Sequence, residues 1–144
     1  MKKILFAVFA SLFVGIAPAQ FKVQEKASSP VRVWAGLGGH EALYYYEENS
    51  GDHYYFMGFN TTNQFDKKMI INLGKKDKAK ATLSQLVNEL YAQGEIYKLI
   101  DDAGEAFTLQ CAALNQYVIT KQGYAGRAYL TVGQASKMLY VLKE

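Results

Sequence analysis

A chain of 144 residues, half of them hydrophobic and carrying a formal charge of +3, holds about one compact domain. Of its 16 Lys and Arg, Lys2 and Lys3 belong to the extreme N-terminus; the remaining 14 face 13 acids, a balance that argues against a nucleic-acid partner. One cysteine, Cys111, excludes an internal disulfide and leaves stability to packing.

The N-terminus reads as a secretory signal over residues 1–19. Lys2 and Lys3 precede an apolar run from Ile4 to Ala17, and Ala17-Pro18-Ala19 has the small-x-small form that signal peptidase cleaves. The run is short for a membrane span and no second run follows. Cleavage before Gln20 leaves no cysteine in place to accept a lipid, so the expectation is an exported protein, periplasmic or secreted and not lipid-anchored. Residues 20–30, QFKVQEKASSP, read as a flexible polar leader into a single domain over 31–144.

Val31 to Leu37 alternates as a first strand, and Gly38, Gly39 and His40 turn it. The GLGG stretch is no nucleotide fingerprint, since β-formers rather than a helix follow it. Glu41 to Glu48 and His53 to Asn60 are predicted as a hairpin about Asn49-Ser50-Gly51-Asp52. Symmetric folding about that link sets Tyr46 opposite Tyr55, Tyr44 opposite Met57 and Tyr45 opposite Phe56, with aromatic residues on both faces. Lys67 to Leu73 is a fourth strand.

Asp77 to Gly94 is predicted as an amphipathic helix. Leu83, Leu86, Val87, Leu90 and Tyr91 fall at i, i+3, i+4, i+7 and i+8, with Asp77 as N-cap and Gly94 as the stop. Strands follow at Glu95 to Asp101, Glu105 to Cys111, Gln116 to Lys121 and Tyr124 to Val132. Lys137 to Leu142, KMLYVL, reads as a last strand, with a short helix from Gln134 as the competing assignment. The expected fold is α+β: two antiparallel meanders, of four and of four or five strands, separated by one helix and forming a curved sheet or small barrel-like domain. No period repeats in residue identity.

Catalytic chemistry is thinly represented. The two histidines, His40 and His53, sit at turn edges, and no G-x-S-x-G elbow or Cys–His motif occurs. Neighbouring acids such as Glu47-Glu48 and Asp101-Asp102 diverge on strands, and Cys111 reads as a small buried hydrophobe. No metal or cofactor is expected, and no residue set nominates an enzyme.

Two features stand out as candidate contacts. Tyr44, Tyr46 and Tyr55 lie on the aromatic hairpin, where amphipathic rings can meet a glycan or a protein. Lys75, Lys76, Lys78 and Lys80 crowd the helix start, where backbone N–H groups and ammonium groups together suit an anion. Residues 41–52 carry four acids without a Lys or Arg, residues 67–80 six lysines against Asp77, and the two segments are candidates to meet. The leading expectation is an exported, non-enzymatic binding domain using the hairpin 41–60. The alternatives are a barrel-like carrier of an apolar ligand, an inhibitor of a secreted enzyme, or a hydrolase whose site the sequence does not locate.

Overall fold

The computed structural model describes residues 29–143. The signal reading and residues 20–28 of the leader lie outside them. Among the described residues eight strands and two α-helices form, β1 (Val31–Ala35), β2 (Glu41–Glu47), β3 (His53–Phe59), β4 (Met69–Lys75), α1 (Lys76–Asn88), β5 (Ile96–Ile100), β6 (Ala106–Ala112), β7 (Gln116–Lys121), β8 (Ala128–Thr131) and α2 (Val132–Lys143). The strands make two antiparallel four-stranded meanders, β1-β2-β3-β4 and β5-β6-β7-β8. The class is α+β as expected, and the sheets stay open rather than closing into a barrel.

Four strands followed directly by a helix occur twice, a repeat of topology without a repeat of residue identity. Both helices bury the same spacing, Ala79, Leu83 and Leu86 in α1 and Ala135, Leu139 and Leu142 in α2. One face of each sheet and both helical stripes merge into one core, with Leu43, Phe59, Leu83, Leu109, Tyr117 and Leu130 fully buried within it. The two helices pack against each other.

The halves also hold one another reciprocally. Lys78, the third residue of α1, pairs with Asp102 in the β5–β6 turn; Gln134, the third residue of α2, donates to buried Glu41 at the β1–β2 turn (2.5 Å). The β3–β4 and β7–β8 loops exchange two bonds, Thr62 N to Arg127 O (2.9 Å) and Arg127 N to Thr62 Oγ1 (3.0 Å). A Cβ on Gly126 would stand 2.5 Å from the Asn63 backbone nitrogen, a collision with main chain. Gly126→Ala is therefore expected to destabilise by about 1–3 kcal/mol, read as a fall in the urea midpoint at constant slope.

Three expected strands shift, with β1 stopping at Ala35, β4 running from Met69 and β8 forming only over Ala128–Thr131, and four larger expectations need correction. The C-terminal segment KMLYVL is helical, with Ala135, Met138, Leu139 and Leu142 buried at i, i+3, i+4 and i+7. Its start is a capping box: Gln134 N donates to Thr131 Oγ1 (3.0 Å) and Thr131 N to Gln134 Oε1 (2.8 Å). Second, α1 ends at Asn88, because Glu89 N and Leu90 N both donate to Gln85 O and the last turn loosens. Leu90 and Tyr91 leave the helix, and Tyr91 bonds instead to the β6–β7 end, donating to Ala112 O and accepting from Asn115 N.

Third, the caps differ: Lys75 is the N-cap residue, Asp77 sits inside the first turn, and Gly94 belongs to the turn that opens β5. Fourth, the 41–60 hairpin is one residue out of the expected register. Tyr44 pairs with Phe56, Tyr45 with Tyr55, and Tyr46 with Tyr54. Glu48 joins the loop, donating its N–H to Asp52 O and accepting from Gly51 N, so five residues turn the chain and the axis falls on Ser50. A slip of one residue exchanges every partner across the hairpin.

Candidate interaction face of the first sheet

The register sorts the hairpin's aromatic residues into two sets. Tyr55 (5 % exposed) faces the core with Leu43, Met57 and Phe59, and Tyr45 packs partly buried beside it. His53 stacks on Tyr45, ring centroids 3.8 Å apart. The opposite, outer face carries Tyr44, Tyr46, Tyr54 and Phe56. Both faces are thus aromatic, as the alternation predicts, but Tyr55 belongs with the core set.

The outer set forms a ladder. Tyr44 stacks on Phe56 (5.1 Å, 11° between planes) and Tyr46 on Tyr54 (5.2 Å, 24°), with Tyr46 tilted against Phe56 at 6.3 Å. Nearly parallel rings at these distances are offset-stacked, a geometry worth about 0.5–1.5 kcal/mol per pair beyond area burial. Phe56 in the middle is buried by its neighbours, whereas Tyr44, Tyr46 and Tyr54 stay half-exposed. Lys68 closes one end: its Nζ donates to the Tyr44 hydroxyl (2.8 Å) and lies 5.1 Å above the ring. Arg32 of β1 is the register partner of Tyr44.

Tyr54 ends the ladder on the β4 side, where its hydroxyl donates to Asp102. Desolvation, then that bond to a carboxylate, pushes the phenol above its ordinary pKa. Lys78 pairs with the same Asp102, and the bonds from Lys78 and Tyr54 hold its carboxyl below the usual range. This phenol–carboxylate–ammonium chain ties the first sheet, the β5–β6 turn and α1 together. Asp101 adjoins it, accepting from Asn72 N (2.9 Å), Asn72 Nδ2 (3.0 Å), Ala103 N (2.9 Å) and Glu105 N (2.9 Å).

The four lysines at the start of α1 therefore separate. Lys78 is committed to Asp102, and Lys75 pairs with Asp52 at 3.2 Å, which is where the acidic and basic segments meet within one molecule. Lys76 is exposed and Lys80 half-buried. An anion at this turn competes with two internal carboxylates for the lysines nearest it. Among the described residues no group of three or more His, Cys, Asp or Glu is placed to hold a metal, and no helix is long and apolar enough to cross a membrane. Cys111 is buried, its Sγ 3.5 Å from Leu90 O.

The sequence missed the Asp101–Asn72 and Tyr54–Asp102–Lys78 links, because partners this far apart in the chain carry no local pattern. The one available signal was Asp101-Asp102 in a turn beside a strand end. No family model, curated protein or solved structure matches the chain.

Proposed function

We propose that this chain is an exported, non-enzymatic binding domain that grips a protein partner through the outer face of its first sheet. The observation that supports this reading is the solvent-side ladder of Tyr44, Phe56, Tyr46 and Tyr54. Half-exposed tyrosines on a rigid sheet supply contact area at little entropic cost, the chemistry enriched at protein interfaces. The rings stack in pairs and Lys68 lies over Tyr44, so part of each ring face is already covered. Sugar stacking needs open ring faces, so the ladder suits a protein better than a glycan. Arg32 and Lys68 beside it favour an acidic rim on the partner.

A photo-crosslinking side chain placed at position 46 is expected to trap the partner in the native host, and the same group at Lys98 on the second sheet is expected not to. Equal yields at the two positions, or none at 46, count against the reading; a glycan lost from Tyr46→Ala in an array reassigns the partner. Tyr46→Ala should keep the fold, costing about 1 kcal/mol for its ring pair, and weaken the complex. Tyr55→Ala should instead cost about 3–5 kcal/mol of stability, as a buried aromatic does.

A further inference from the structure

A cavity of about 300 Å³ opens between α1 and the edge strand β5. Its floor is apolar, formed by Leu73, Leu86, Leu109, Ile119 and Leu130. Leu99 and Ile100 form one lip, and Lys78, Thr82 and Gln85 of α1 form the other. Lys78 and Asp102 neutralise each other at the rim, and Asp101 is saturated by its four N–H donors. Neither a cation nor an anion therefore has an unmatched counter-charge to meet there.

The repeated topology sets a different side chain at the matching strand position of the other half. Trp34 is the last-but-one residue of β1 and Leu99 the last-but-one of β5, and both pack against the shared core. At β1 this position carries an indole, and at β5, beside the cavity, it carries the smaller leucine.

We infer that the slot between α1 and β5 is a binding site for a small, neutral, mainly apolar molecule carrying one hydroxyl or carbonyl. The volume holds roughly ten non-hydrogen atoms, on the scale of the ~30 Å³ a water occupies in the liquid. The apolar floor takes the body of the ligand, and Thr82 and Gln85 supply polar groups at the mouth for its single oxygen. This site lies on the core side of the sheets and meets the outer ladder only where Asp102 at its rim accepts from Tyr54, and it does not rest on the proposed partner.

Titration of straight-chain alcohols from butanol to dodecanol into methyl-labelled protein tests it. Saturable shifts are expected at Leu86, Leu99 and Ile119, with affinity tightening about fourfold per added CH₂ and levelling off near ten non-hydrogen atoms. No saturable shift, or shifts confined to the residues around Tyr44 and Tyr46, overturns the site. Leu99→Trp puts the larger side chain of the matching β1 position beside the slot and is expected to abolish binding while unfolding remains cooperative; wild-type binding by the folded variant overturns the inference. Should that variant not fold, Leu99→Ala decides, because an enlarged slot must move the plateau to longer alcohols and an unmoved plateau overturns it.

Discussion

Leu83→Ala is expected to lower the free energy of unfolding by about 2–5 kcal/mol, a large share of what holds a domain of this size. Leu83 is 0 % exposed, sits between Ala79 and Leu86 on the buried stripe of α1, and belongs to the single core shared by both sheets. Its removal leaves a cavity that rigid strands on one side and α2 on the other cannot collapse. Leu90→Ala is expected to cost about 1 kcal/mol, since Leu90 lies beyond the helix, half-buried, and already borders the slot beside β5. Paired urea titrations at constant slope measure the difference. Equal losses at the two positions would return Leu90 to the core and extend the helix past Asn88.

The second large effect belongs to Asp101. Asp101→Ala removes the acceptor for three backbone N–H groups and the Asn72 amide, and is expected to cost about 3 kcal/mol, the upper range for hydrogen bonds to a charged group. Asp101→Asn keeps one acceptor oxygen and should cost less. Burial by itself would raise this carboxyl, but the bonds from Asn72, Glu105 and Ala103 together outweigh it, and it titrates below its ordinary value. A carboxyl depressed in the folded state contributes stability that is complete above the unfolded value, near pH 4, and is lost as pH falls through the folded one. Urea midpoints between pH 2 and 6 should therefore fall more steeply for the wild type than for Asp101→Asn. Parallel curves would show that the carboxyl is not the group that matters.

Strand positions were legible in the sequence because alternation and turn residues mark them locally. Gln116–Lys121 was placed correctly from pattern alone, and β2, β3, β5 and β6 to within a residue at each end. What failed was whatever depends on a partner. Glu48 looks like strand, and only its bonds to Asp52 and Gly51 draw it into the loop and shift the register. Leu90 and Tyr91 continue a helical period, yet Tyr91 finds better partners at Ala112 and Asn115. The tail was misread because KMLYVL is rich in β-formers. Its true signal, Thr131 followed by Gln134 ahead of a 3.6-period apolar stripe, was present as a capping box at a strand end. Of the candidate contacts, Tyr44 and Tyr46 lie on the outer ladder and Tyr55 in the core, a distinction that alternation predicts only once the register is known.

The interlocking of the two halves has a kinetic consequence. The helix α2, Val132–Lys143, touches β1 in the opposite half, and the β5–β6 turn seats on the start of α1. Each helix also packs on strands of its own half, α1 on β3 and β4 and α2 on β8, but the contacts between the halves reward the chain only after loops of tens of residues have closed. Joining the halves therefore adds a cost of long-range closure to the barrier, beyond that of making either helix.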